Sequence, residues 1–363
     1  MPSSTSSFDP GMSSDKHIKA VLLGLLTGIL LILAVENLIR SKGGEPDVRD
    51  TAGLWASQRA RASIIGGDAL ILVGSSRIQL DLDLDILARA TGLKPVQLAI
   101  DGSPYLEVLE NLANDESVTG TVLVSTTMRK LFPGINATRV NKWIAVYQDK
   151  YRNLWSPEKE QLIKAKLQSV SALYANIIPL EELIPLLFNN KKKLGEIYLK
   201  TLPSRERDAD FSLVKMPDFY LRRVQRNLGH PLPAEAFISP DNFRDAVIRL
   251  TKENYSEFNT DPKKLRRIKA AIDKLKKRDV DVILARFPLS GLVETISDIR
   301  YPKGLWDKLV SDLGVRVIDY RDYPKLVYQL PDGSHLDKTQ KPQFTRDFSR
   351  IFLQKANMIH HDG

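Results

Sequence analysis

Cysteine is absent from this chain. That removes disulfides, thiolate metal sites and cysteine nucleophiles, and leaves the redox compartment open. Histidine is scarce, with His17, His230, His335, His360 and His361 making up all 5. His17 abuts an apolar segment, His230 stands in a turn between Gly229 and Pro231, and the last two close a polar tail, so candidates for a histidine base are few. No cluster of histidines and carboxylates has metal-ligand spacing, so neither a metal nor a cofactor is expected. Internal repeats and long low-complexity tracts are missing too. Apolar runs long enough for a bilayer are missing with one exception, near the N-terminus.

What is present is an ordinary globular composition, 43% hydrophobic and 27% charged over 363 residues. That supports one large domain with an insertion, or two domains. The net charge is +9 and the pI about 9.4. Such an excess suits lipid head groups, acidic polysaccharide or nucleic acid, or simply a solvated basic face. The basic residues are not interleaved with aromatics in a nucleic-acid module, so no nucleic-acid partner is expected.

Residues 1–17 are rich in Ser, Pro and Gly and read as a disordered tail. Residues 18–39 are apolar except for Lys19, Thr27, Glu36 and Asn37, and reach the ~20 residues a bilayer demands. Glu36-Asn37 stands where a signal peptide would carry small cleavage residues, which favours an uncleaved anchor. Lys16 and Lys19 before the span and Arg40, Lys42 and Arg49 after it leave the orientation undecided by charge. Residues 40–66 read as a connecting segment with a short amphipathic helix at 50–65, carrying Leu54, Trp55 and Ile64.

Three strand–helix units follow within residues 67–139, with strands at 69–73, 96–100 and 121–125, which argues for a parallel sheet. Residues 140–258 show no clear strand and read as a mostly helical insertion. It includes a helix from Ser156-Pro157 with Leu162, Ile163, Val170, Leu173 and Tyr174 on one face, an apolar piece at 180–188, a basic break at 189–193, and charge-dense stretches at 205–210 and 220–223. The α/β pattern returns over 259–356. Asp261-Pro262 opens a helix, strands are expected at 280–285 and 315–318, and a last helix carries Phe344, Phe348, Ile351 and Phe352 in one stripe. Residues 357–363 form a tail. The fold class expected is α/β, a three-layer sandwich around a five-stranded parallel sheet.

The chemistry-bearing stretch is Gly74-Ser75-Ser76-Arg77, where the first strand breaks into a turn. Open α/β sheets collect their chemistry just past the carboxyl ends of the strands. The second strand closes on Asp101-Gly102, and a bare glycine there can present a backbone N–H to a developing oxyanion. Between the last strand and the last helix stands Asp332-Gly333-Ser334-His335, an acid three residues before a histidine, the spacing that lets a carboxylate orient one imidazole nitrogen and leave the other as base. Arg77 and Arg286 lie past strand ends, where each reads either as a binder of an anionic group or as half of a salt bridge.

This order of blocks resembles the SGNH (GDSL-type) hydrolase superfamily. The resemblance covers about residues 67–135 and 260–355. It makes Ser76 the nucleophile, Asp332 and His335 the acid and base, and Gly102 the second-block oxyanion donor. With the anchor, the chain is most similar to membrane-anchored envelope proteins of that superfamily. What this implies is a serine esterase or O-acyltransferase acting on a carbohydrate or envelope polymer, with a membrane-embedded acyl-donor partner. The main domain would then lie on the periplasmic side of the inner membrane. The alternative is a weak or inactive binding subunit of the same fold. One departure stands out. The third block normally supplies an asparagine to the oxyanion hole, whereas this chain reads Ser125-Thr126-Thr127-Met128, leaving Thr126 or Thr127 as a hydroxyl substitute.

Overall fold

Runs of branched apolar residues pair into one parallel sheet in the computed structural model, which describes residues 14–131, 136–151, 156–176, 197–254 and 261–357. In chain order the strands are β1 (Ala69–Val73), β2 (Lys94–Gln97), β3 (Thr121–Ser125), β4 (Leu199–Thr201), β5 (Arg207–Ala209), β6 (Asp281–Arg286) and β7 (Arg316–Asp319). The main sheet runs β2-β1-β3-β6-β7 with every pair parallel, while β4 and β5 make a separate antiparallel hairpin. With the hairpin set aside, this is a doubly wound order whose direction reverses between β1 and β3. The crevice that collects chemistry therefore opens past Val73 and Ser125.

The helices are α1 (Ser14–Ser41), α2 (Ala52–Ile64), α3 (Ser76–Leu80), α4 (Leu84–Thr91), α5 (Leu106–Ala113), α6 (Thr138–Val146), α7 (Ser156–Val170), α8 (Ala172–Asn176), α9 (Asp218–Leu228), α10 (Pro240–Glu253), α11 (Pro262–Lys276), α12 (Gly291–Arg300), α13 (Lys303–Leu313) and α14 (Lys341–Asn357). Alternate residues of each strand face opposite layers. Ile71, Val73, Val122, Val124, Val282 and Leu284 pack on one side with Trp55, Leu109, Ile268 and Trp306. Leu70, Leu72, Leu123 and Ile283 pack on the other with Leu87, Val293 and the stripe Phe344, Phe348 and Phe352. Both faces are covered by helices, which is why the strands read as unbroken apolar runs. Pro95 is tolerated because β2 is an edge strand.

The chain divides into two compact units. One comprises residues 48–166 and 197–363 and holds the sheet; the other comprises residues 1–47 and 167–196. Within the second, α1 contains the 26-residue span Lys16–Ser41, whose most apolar 18-residue stretch has a mean hydropathy of 2.6, long and apolar enough to cross a membrane. Its Glu36 accepts hydrogen bonds from the backbone N–H groups of Ala172 and Leu173 at 2.8 and 2.9 Å and pairs with Arg40. The polar residue that interrupts the apolar run thus serves as the N-terminal cap of α8.

Several sequence expectations shift. β2 begins two residues earlier than the expected strand at 96–100, although Leu98 and Ile100 still donate to the carbonyls of Leu72 and Gly74. α2 does more than connect. Trp55 and Arg59 are fully buried, the indole donates to Leu98 O at 2.9 Å, and it is Ile64 that faces solvent. The residues read onto one face of a single helix are divided between α7 and α8, and on α7 that face is largely exposed, with Ile163 and Val170 at 61% and 56%. The insertion is not wholly helical, since β4 and β5 stand within it. Residues 1–13, the apolar piece at 180–188, the basic break at 189–193 and the tail with His360 and His361 lie outside the described residues.

The hairpin is fixed by charge. Arg205, at its turn, is fully buried with a backbone φ of 66°. Its guanidinium grips both oxygens of Asp50 at 2.7 and 2.9 Å and donates to the carbonyls of Gln97 and Ala99 at 2.7 and 2.9 Å. The charge-dense stretch at 205–210 is therefore an internal ion-pair network rather than a solvated face. Replacing Arg205 by Met strips Asp50 of its cation, leaving it the 3.4 Å bond from Gln79 Nε2, and takes a donor from the carbonyls of Gln97 and Ala99. The expected cost is about 3–5 kcal/mol, read as a lowered denaturant midpoint of the full chain in detergent with an unchanged slope.

Candidate active site

Two sharp turns bring the reactive groups together. β1 ends at Gly74, where a Cβ would lie 2.9 Å from Ser125 Cβ and 3.0 Å from Ser125 O. Only glycine lets the chain pass β3 this closely before α3 starts at Ser76. The second turn is 332–335. Gly333 adopts φ +74°, and a Cβ there would meet Val293 Cγ2 at 2.7 Å and Ser290 O at 3.0 Å.

These turns set Ser76, His335 and Asp332 in a line. Ser76 Oγ lies 2.9 Å from His335 Nε2, and His335 Nδ1 lies 2.8 Å from Asp332 Oδ2. Asp332 is fully buried and His335 is 4% exposed. The other Asp332 oxygen, Oδ1, accepts from the backbone N–H groups of Ser334 and His335, both at 2.8 Å. Burial alone would raise the Asp332 pKa. The imidazole beside it, the hydrogen bond from that ring, and the charge of Arg223 outweigh burial and hold the carboxyl well below the usual range. An ionised Asp332 has no proton to give, so Nδ1 carries the hydrogen and Nε2 keeps its lone pair toward Ser76.

Arg223 is a site residue that the sequence reading placed only within a charge-dense stretch. It projects from α9 and donates to Asp332 Oδ2 from Nε at 3.0 Å and from Nη2 at 2.6 Å, with Nη2 also 3.2 Å from His335 Nδ1. No local motif marks it, because its partner lies 109 residues away in sequence.

The remaining candidates fall in different places. Arg77 donates from Nε to Ser334 Oγ at 3.2 Å. Arg286 is buried at 7%, pairs with Asp319 at 3.3 Å and stacks over the Trp306 ring. Arg77, Arg286 and Thr127 line one cavity of about 80 Å³. Thr126 is 1% exposed, and its backbone N–H is spent on Ala285 O at 3.0 Å. Its hydroxyl is buried near the Tyr105 hydroxyl. Burial pushes that tyrosine up to about 12. Gly102 has φ +66° and lines a shallow depression with Ser103, Asn136 and Arg139.

Beneath the site sits a second carboxyl. Asp81, at the end of α3, is fully buried; Oδ1 accepts from Leu336 N at 3.0 Å, and Oδ2 has no hydrogen-bond partner among the described residues. Burial drives its pKa well above the usual range, opposed in part by the Leu336 N–H and by Arg77. It thus ties the residue after His335 to the helix that begins at Ser76.

No protein-family model and no curated protein matches the chain. A solved structure similar to it is that of a "putative lipolytic protein of G-D-S-L family" from Desulfitobacterium hafniense DCB-2. The two share 10% sequence identity at a TM-score of 0.33, over 78% of this chain and 99% of that chain.

Asp81 supplies a test of the buried geometry. A carboxyl whose folded pKa is raised gives its full stability below its unfolded pKa, about 3.9, and loses it as pH climbs toward the folded value. Asp81→Asn keeps the acceptor for Leu336 N and cannot ionise. It is expected to raise the thermal midpoint at pH 7, and that gain should vanish by about pH 4. A gain that persists unchanged at pH 4 would show that Asp81 is not held neutral.

Proposed function

We propose that this chain is a serine-dependent ester hydrolase or O-acyltransferase of SGNH type, held to the membrane by Lys16–Ser41. The observation that carries the reading is the continuous relay from Ser76 Oγ through His335 to a buried, ionised Asp332. Its placement past β1 at the reversal of a doubly wound sheet agrees with it.

The chemistry follows from the geometry. Ser76 Oγ attacks the acyl carbonyl while its proton passes to His335 Nε2. Asp332, accepting from Nδ1, stabilises the imidazolium that forms. On this reading the carbonyl oxygen becomes an oxyanion facing the Ser76 backbone N–H; the resemblance names Gly102 as the second-block donor, and the Thr127 hydroxyl, which lines the cavity with Arg77, would be the third. Collapse expels the alcohol, which takes the proton back from His335, and leaves an acyl-Ser76 ester. Water or an acceptor hydroxyl then repeats the sequence in reverse, giving hydrolysis or transfer respectively.

The acceptor we favour is a hydroxyl of a carbohydrate or envelope polymer, and the acyl group would come from a membrane-embedded donor. The apolar N-terminal helix and the net charge of +9 support work at an anionic envelope surface. A periplasmic placement of the sheet-bearing unit belongs to the same proposal, and a C-terminal alkaline phosphatase fusion checks it: activity supports that side, and silence with full expression reverses it.

A second reading, a binding subunit with weak or absent turnover, has one observation in its favour. The residues directly after β3 are Thr126-Thr127-Met128, with no asparagine before Asn136, and the Thr126 hydroxyl is buried near Tyr105. Loss of one oxyanion donor costs about 10²–10³ in rate.

Covalent labelling separates the two. A fluorophosphonate probe should modify wild-type Ser76, Ser76→Ala should abolish the modification, and His335→Ala should slow it by about 10³-fold or more. Arg223→Met should slow it by roughly tenfold, since Asp332 then keeps its backbone donors but loses its guanidinium. No labelling of folded wild type, or equal labelling of Ser76→Ala, counts against the enzyme and for the binding subunit.

A further inference from the structure

The cavity beside the relay has an unusual electrostatic lining. Arg77, Arg129, Arg286 and Arg300 all contribute to its wall, and among the described residues no acidic side chain does. Thr127, Asn227, Ser297 and Tyr301 add neutral polar groups, and Leu289, Val293 and Ile296 add an apolar side. Asp319, behind the wall, pairs with Arg286. Arg77 spends Nε on the neutral Ser334 hydroxyl. Arg300 donates to the carbonyls of Asn227 and Leu228 at the end of α9, and its Nε is buried with no partner. Arg129 stands close enough to Arg300 for the two charges to repel.

Like charges gathered around a partly desolvated hollow destabilise the fold. Asp319 pairs with Arg286, and the Asp81 and Asp332 carboxyls act on Arg77 from behind the wall, but no acid on the wall itself relieves Arg129 and Arg300. An anion entering the cavity would. The volume of about 80 Å³ is room for on the order of two or three water molecules, the size of one carboxylate or phosphate group. Arg77 fixes where that anion would stand, because it follows Ser76 directly and bonds to the neighbour of His335.

We propose that this cavity is an anion subsite that receives a carboxylate or phosphate borne on the ester substrate, a few bonds from the acyl carbon attacked by Ser76. The inference rests on the serine-hydrolase reading for the identity of the substrate, not for the binding of the anion. The apolar wall suits the short hydrocarbon stem joining the anion to the ester. Guanidinium forks match both carboxylate and phosphate oxygens.

Calorimetry on the full chain in detergent, carrying Ser76→Ala to prevent turnover, tests the binding. Inorganic phosphate and succinate should each bind saturably at one site, and glycerol should not. Arg129→Gln, at the exposed mouth, should weaken both anions at least tenfold, and Arg129→Lys should stay within about threefold of the parent. The absence of saturable binding to folded protein, or binding untouched by both Arg129→Gln and Arg300→Gln, overturns the subsite. Turnover with otherwise wild-type chain assigns the anion to the substrate: mono-4-nitrophenyl succinate should be preferred over 4-nitrophenyl butyrate, and Arg129→Gln should erase the preference. Phosphate binding without that preference overturns the assignment to substrate. Fluorophosphonate labelling keeps the two proposals apart. Labelling with no anion binding sinks the subsite and leaves the nucleophile; anion binding with no labelling does the reverse.

Discussion

The carboxylate of Asp332 is the constraint from which the site is built. It is fully buried and ionised, so each of its lone pairs needs a donor. Two donors are backbone N–H groups of its own turn, one is the imidazole, and one is a guanidinium from a helix in another part of the chain. The turn can fold this tightly only because Gly333 takes a left-handed conformation in a space where a Cβ would strike Val293. The direction of the imidazole is thus decided by packing against α12 as much as by the acid itself.

Charge also joins the long middle segment to the sheet. Arg205 closes the end of β2 through Gln97 O and Ala99 O, Arg223 reaches Asp332, and Lys341 at the start of α14 bonds to Glu206 and Asp208 of the hairpin. Removing Arg205 or Lys341 leaves a largely buried carboxylate without its cation, which is far costlier than never having had the pair. The segment is consequently part of the site. A cap that only covered the crevice would not need to place a guanidinium on the triad acid.

How legible this was depends on the range over which each feature is encoded. The strand runs at 69–73 and 121–125, the glycine breaks after them and the Asp332–His335 spacing are local, and they could be read from neighbouring residues. So could the aromatic stripe Phe344, Phe348 and Phe352, whose helical period matches one buried face. The hairpin of β4 and β5 could not. Its strands are three residues each and carry charged side chains, and what holds them is Asp50 and Lys341, far away in sequence. Arg223 was hidden for the same reason. Ion pairs across more than 100 residues leave no spacing signal, so a stretch such as 205–210 looks like a solvated face until its partners are in place. The exposed face of α7 fails in the opposite sense: its period is helical, but periodicity reports which residues share a side, not whether anything covers that side.

Thr126 and Thr127 show how one residue of register decides chemistry. Adjacent residues at a strand end point to opposite sides. Thr126, whose N–H continues the pairing with β6, turns its hydroxyl into the interior beside Tyr105, while Thr127 opens onto the cavity shared by Arg77 and Arg286. A hydroxyl there is a shorter and weaker donor than an amide, so by itself it is a poor replacement for asparagine. The cavity it borders, however, has cationic walls. On the proposed reading, the field of those arginines acts on the negative charge that develops on the carbonyl oxygen, in a site where low dielectric enlarges it. On that reading, the cationic wall replaces the directed hydrogen bond of an asparagine with a less directional stabilisation of the oxyanion.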